Sequence, residues 1–131
     1  MSAKLTGLLS EILIVDDDDD IRDTLMELLQ FEGYTAVGAA NGKEALARLR
    51  QRSVSVILLD LMMPVMDGFE FRSEQLADPE LSAIPVVVVS AGGRSEQAAR
   101  EMGALGCFRK PLDVAALLSL LRQACASASA T

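Results

Sequence analysis

The chain of 131 residues contains no histidine. That removes the commonest general base and every histidine-ligated metal site. Aromatic residues make up only 4% of the chain, so a core has to be aliphatic, built from Leu, Val, Ile, Met and Ala. Two cysteines, Cys107 and Cys125, form no metal or redox motif and suit a reducing cytosol. No stretch approaches the roughly 18 uninterrupted apolar residues of a membrane span. The opening MSAKLTGLLSE has one Lys and no apolar region of signal-peptide length. No G-x-G-x-x-G or Walker-type loop follows any strand-like run, which argues against nucleotide binding. Basic residues are also short: 12 Lys and Arg against 19 Asp and Glu, a net charge of −7. That balance argues against a nucleic-acid surface and suits a site that holds cations. The expectation is a cytoplasmic protein without membrane or nucleic-acid contacts.

What is present is apolar and periodic. Half of the residues are hydrophobic, and the length suits one domain with a real core. Residues 1–10 read as a short lead-in, 11–125 as the domain and 126–131 (ASASAT) as a flexible tail, with no output domain. Strand-like runs fall at Glu11–Val15, Tyr34–Ala39, Val54–Leu59, Ile84–Val89 and Cys107–Lys110. The second, with Gly38 and several alanines, suits a sheet edge. Between them lie helical patterns. Ile21, Leu25, Leu28 and Leu29 share one face, and Gly33 stops that helix. Asn41 with Glu44 reads as a capping box opening a helix to about Gln51. Further helices are expected over Phe69–Ala77, Ser95–Met102 and from the cap Asp113 onward. Five alternating strand–helix units predict an α/β fold, a parallel sheet with helices on both faces.

The strands end on reactive groups: Asp16 and Asp17, Asp60, Ser90 and Lys110. Open α/β sheets bind ligands outside the carboxyl ends of their strands. Asp18, Asp19 and Asp20 read as a helix N-cap and first turn, and the Met62–Met63 pair as packing and turn. Taken singly, a Ser or Lys after a strand is a surface residue. Taken together, three carboxylates repel unless a cation neutralises them. A hard divalent ion with oxygen ligands resolves this, and Mg²⁺ favours one or two carboxylates plus phosphate oxygens. A carboxylate nucleophile beside a metal, a hydroxyl and a Lys is suited to forming an aspartyl phosphate.

Over about Glu11 to Gln123 the chain resembles the receiver domain of bacterial response regulators. The resemblance lies in ILIVDDD, VILLDLMMPVMDGFEF, IPVVVVSA and FRKPLD, in family order and spacing. It implies a doubly wound, flavodoxin-like (βα)5 fold with strand order 2-1-3-4-5. It further implies that Asp60 accepts a phosphoryl group from a histidine kinase or phosphotransfer protein. Asp17, Asp60 and the Met62 backbone carbonyl would ligate Mg²⁺, or Mn²⁺ in its place, and Asp16 would reach the metal through water. Ser90 would be the switch hydroxyl and Lys110 the phosphate partner, with a cis Lys110–Pro111 bond. Met62 and Gly92 match positions that modulate phosphorylation and dephosphorylation rates in the family.

One position departs from the pattern. Where the family carries an aromatic switch residue, three before the lysine, this chain has Cys107. Phe108 follows, and strand alternation aims it at the opposite face. The expected function is a stand-alone, phosphorylation-controlled binding module and not a turnover enzyme. Its output would pass through the fourth helix, fifth strand and fifth helix, to a downstream protein or by self-association. Two rivals are a degenerate receiver acting as a structural or dimerisation module and a small aspartyl-phosphate phosphatase. The second lacks a general acid–base aspartate two residues after Asp60, where Met62 stands.

Overall fold

A computed structural model describes residues 10–110 and 112–130. The elements alternate in chain order: β1 (Glu11–Val15), α1 (Asp19–Phe31), β2 (Thr35–Ala39), α2 (Gly42–Gln51) and β3 (Val56–Leu59). They continue as α3 (Gly68–Ala77), β4 (Val86–Ser90), α4 (Ser95–Glu101), β5 (Gly106–Arg109) and α5 (Val114–Ala130). All strand pairs are parallel, in the order β2-β1-β3-β4-β5. This is the doubly wound order expected, with β2 at an edge.

Both sheet faces are buried, as a parallel sheet between helices requires. Alternation sorts the strand residues. Leu13, Val15, Ile57, Leu59, Val86 and Val88 face α2, α3 and α4, packing with Leu46, Leu49, Phe71 and Ala98. Ile12, Ile14, Val56, Leu58, Val87 and Val89 face α1 and α5, packing with Leu25, Leu29, Leu117 and Leu121. Burying each large aliphatic stabilises the fold by about 1.5–3 kcal/mol.

Helix starts follow local chemistry. The Asp18 carboxylate caps α1, accepting from the Asp20 and Ile21 backbone N–H groups. Asn41 caps α2 by accepting from Glu44 N–H, while Glu44 itself accepts from Ala40 N–H. Asp67 and Glu70 form a reciprocal capping box on α3, and Asp113 accepts from Ala116 N–H at the start of α5.

Several boundaries differ from the sequence expectation. β4 begins at Val86 and not Ile84, because Pro85 has no N–H to give the ladder and only its carbonyl accepts, from Ile57 N–H. β5 lies one residue earlier than expected. The residues read as a tail after 125 continue α5 to Ala130; their alanines have the highest helix propensity. The lead-in before Ser10 and the Lys110–Pro111 bond expected to be cis lie outside the described residues.

Candidate functional site

The pairing of β1 with β3 brings their carboxyl ends side by side, with Val15 opposite Leu59. Asp60 N–H donates to the Val15 carbonyl (2.9 Å), and Asp16 N–H to the Ala39 carbonyl (3.1 Å). These backbone bonds extend the sheet by one residue on each strand. They fix where both carboxylates emerge.

Asp16, Asp17 and Asp60 each offer a carboxylate oxygen within 4.8 Å of the others. Asp16 and Asp60 are buried, at 2% and 6% exposure, while Asp17 is exposed. The Lys110 ammonium reaches over from the end of β5. It lies 2.9 Å from Asp16 Oδ2 and 3.6 Å from Asp60 Oδ2. Four of the residues singled out in the sequence therefore converge. Ser90, the last residue of β4, is buried at 2% exposure, and its carbonyl accepts from Lys110 N–H (3.2 Å). Its hydroxyl oxygen accepts from Gly92 N–H (3.4 Å). Met62 exposes its side chain and donates its backbone N–H to Asp60 Oδ1 (3.3 Å).

The electrostatics are those of a crowded anionic site. Burial pushes the Asp60 carboxyl above its usual range. Asp16 and, less strongly, Asp17 push the same way, against Lys110 and the Met62 N–H. Burial alone would pull the Lys110 ammonium down, but its contacts with Asp16 and Asp60 outweigh that, and the net direction is up. The donor set is all oxygen, with one carboxylate open to water, which fits a hard ion such as Mg²⁺.

Three supporting residues carry no obvious signature in sequence. Gly68 starts α3 against the site: a Cβ there would stand 2.7 Å from the Asp60 carbonyl oxygen and 2.8 Å from Leu61 Cα. Only glycine allows that approach. Arg22 donates from Nη1 to the Asp16 carbonyl (2.7 Å) and from Nη2 to the Asp19 carboxylate. Val65, in the loop between Asp60 and α3, holds φ 69°, a left-handed value uncommon for a β-branched residue. On β5, Cys107 packs with the α2–α4 side of the core and Phe108 with the α1–α5 side. That is the opposite-face placement expected from alternation.

Comparison with known proteins follows the same geometry. The family model for the response regulator receiver domain matches residues 12–122. The chain is 39% identical over 106 residues to sporulation initiation phosphotransferase F of Bacillus subtilis, covering 79% of this chain and 84% of that one. It is 34% identical to the transcriptional regulatory protein CpxR homolog of Haemophilus influenzae, covering 87% of this chain but spanning only 49% of that relative's length. Among solved structures it resembles response regulator protein TrrA of Thermotoga maritima in complex with Mg²⁺–BeF. The TM-score is 0.79 at 27% identity, covering 88% of this chain and 99% of that one. No helix among the described residues is long and apolar enough to cross a membrane.

Proposed function

This chain belongs to the response regulator receiver domain family of two-component signalling, and from that premise we propose that it is a phosphorylation-controlled cytoplasmic binding module whose acceptor is Asp60. One observation carries the reading: the Lys110 ammonium bridges the buried Asp16 and Asp60 carboxylates. An isolated buried acid cluster is costly. One that recruits a lysine from 94 residues away is built to manage negative charge.

The Asp60 carboxylate oxygen attacks the phosphorus of a donor phosphohistidine. An O–P bond forms as the P–N bond breaks, and the donor imidazole leaves with its electron pair. Burial raises the basicity of Asp60, which favours its role as nucleophile. Lys110 would pair with a phosphoryl oxygen, and the Ser90 hydroxyl would donate a hydrogen bond to another. Asp17, Asp60 and the Met62 carbonyl would hold Mg²⁺, with Asp16 reaching it through water. The ion would neutralise charge on the transferring group. Met62 stands where a hydrolase of this chemistry would need a second acid, so turnover on outside substrates is not part of the reading. Phosphorylation shifts an equilibrium between surfaces, and output passes through α4, β5 and α5 to a downstream protein or a second copy.

The test is intact mass after incubation with a small phosphodonor and Mg²⁺. The wild-type chain should gain one acid- and base-labile phosphoryl group, while Asp60→Ala gains none. A wild-type adduct that survives in Asp60→Ala would refute the assignment.

A further inference from the structure

The strand β2 stands at an edge of the sheet, and its pairing with β1 leaves its other side open. Thr35 N–H donates to the Ser10 carbonyl, and the Ala39 carbonyl accepts from Asp16 N–H. The odd-numbered residues of β2 therefore turn their backbone groups toward β1. Alternation along a parallel ladder then aims the N–H and C=O groups of Ala36 and Gly38 outward. Such a row is a template for another strand, and edge strands blunt it with charged side chains, proline or a bulge. The sequence TAVGA carries neither charge nor proline, and its five residues pair with β1 in unbroken register.

A cleft of about 490 Å³ runs along this edge, with Ala36–Ala39 as its floor. Arg22 and Met26 of α1 line one side, and Arg48 of α2 with Arg52 at that helix's end lines the other. Gly38 keeps the floor bare: a Cβ there would already meet Arg22 Cδ and Met26 Sδ at 3.0 Å. Glycine inside a strand marks a place where another backbone can approach closely. The charge of the cleft opposes that of the whole chain. The net charge is −7, yet three arginines and a single acid, Glu44, line the cleft. Arg22 and Arg52 are partly committed, to Asp19 and Glu11. Arg48 is half-buried and has no carboxylate partner among the described residues. Its Nε donates to the outward Gly38 carbonyl (3.3 Å), which fixes the guanidinium over the strand and leaves both terminal nitrogens to donate to an arriving carboxylate.

We infer that the β2 edge is a docking site for an extended acidic segment of a partner protein, which lies beside β2 as a sixth strand of the sheet. Ala36 and Gly38 supply main-chain hydrogen bonds, and Arg48, aided by Arg22 and Arg52, selects carboxylate side chains. Charge decides against a second copy of this chain. Twofold pairing sets the same patch against itself, which would bring the arginines of both edges together. An acidic strand meets them with the opposite sign. The inference does not rest on Asp60 being the phospho-acceptor.

The probe is a short fluorescein-labelled peptide of alternating valine and glutamate, added to the full chain without phosphodonor. Anisotropy reads binding, and amide exchange followed by NMR reads where it occurs. The peptide should bind and slow exchange at Ala36 and Gly38, while Val37 and Ala39, whose N–H groups face β1, hold steady. Arg48→Glu should weaken binding about tenfold or more. Ala36→Pro removes an outward N–H without touching the β1 ladder, so it should lose binding and unfold close to the wild-type temperature. Where that variant does not fold, Arg48→Glu and the exchange pattern decide. No binding, equal binding of a peptide with lysine in place of glutamate, or binding that leaves Ala36 and Gly38 unprotected overturns the inference. A dimer in sedimentation that Ala36→Pro dissolves assigns the edge to a second copy and overturns it as well. Phosphoryl uptake at Asp60, read separately by intact mass, is untouched by any of these outcomes.

Discussion

Replacing Asp60 by Asn should stabilise the metal-free protein. The two carboxylates Asp16 and Asp60 present oxygens within 4.8 Å, a repulsion of ~3.5 kcal/mol at an effective dielectric constant of about 20. Lys110 at 3.6 Å from Asp60 offsets it by ~4.6 kcal/mol on the same scale. These two Coulomb contributions nearly cancel, Asp17 adds a weaker repulsion, and the 6% exposure of Asp60 acts in the same direction. Its carboxyl is held above the ordinary 3.8, so ionisation costs the folded state more than the unfolded one.

Stability is unaffected below the unfolded pKa, falls as pH rises from there to the folded pKa, and stays reduced above it. An amide keeps an acceptor for Met62 N–H and leaves Lys110 its 2.9 Å contact with Asp16. Asp60→Asn should therefore be the more stable form at pH 7, by the ~1 kcal/mol typical of a single substitution, or about 4 °C in Tm for a domain of this size. The gain should vanish near pH 3. Thermal unfolding by circular dichroism, in chelator and then in Mg²⁺, is the assay. Mg²⁺ at ten times its Kd should restore about 1.4 kcal/mol to the wild type and much less to the variant. A variant no more stable than wild type in chelator at pH 7, or an equal response of both to Mg²⁺, would refute the reasoning.

Two further predictions concern the backbone around the site. Gly68→Ala should destabilise the fold by about 2 kcal/mol or more, because its methyl would meet the Asp60 carbonyl at 2.7 Å, and phosphoryl uptake should fall with it; denaturant unfolding within about 0.5 kcal/mol of wild type would count against that contact. Val65→Gly should gain about 1 kcal/mol by relieving a left-handed φ of 69°, with little packing lost since Val65 is 75% exposed. A loss of stability in that variant would show that the exposed side chain does more than its surroundings suggest.

The fold was legible wherever one local rule decided the outcome. Uninterrupted β-branched runs marked the central strands, because a strand covered on both faces needs no polar alternation. Asp18, Asn41 and Asp113 marked helix starts, because a cap is satisfied within three residues of itself. Boundaries failed where a second rule intruded. Ile84 looks like strand, but Pro85 cannot enter the ladder. The small residues after Cys125 look like a frayed tail, but alanine continues a helix already nucleated by Leu117 and Leu121 against the sheet.

The site divides along the same line. Asp16, Asp17, Asp60 and Lys110 could be gathered on paper because strand ends in a parallel sheet point one way, and the strand order that the resemblance implied puts β1 beside β3. Arg72 and Gln75 could not. A helix read alone puts an arginine and a glutamine on its solvent face, since such residues are buried only when fully bonded. What licenses their burial is a set of carbonyls at Met102, Gly103, Leu81 and Ile84, ends of a helix and a turn whose positions no local pattern specifies. Chemistry that ends a strand announces itself in sequence. Chemistry that joins one helix end to the next has to be found in three dimensions.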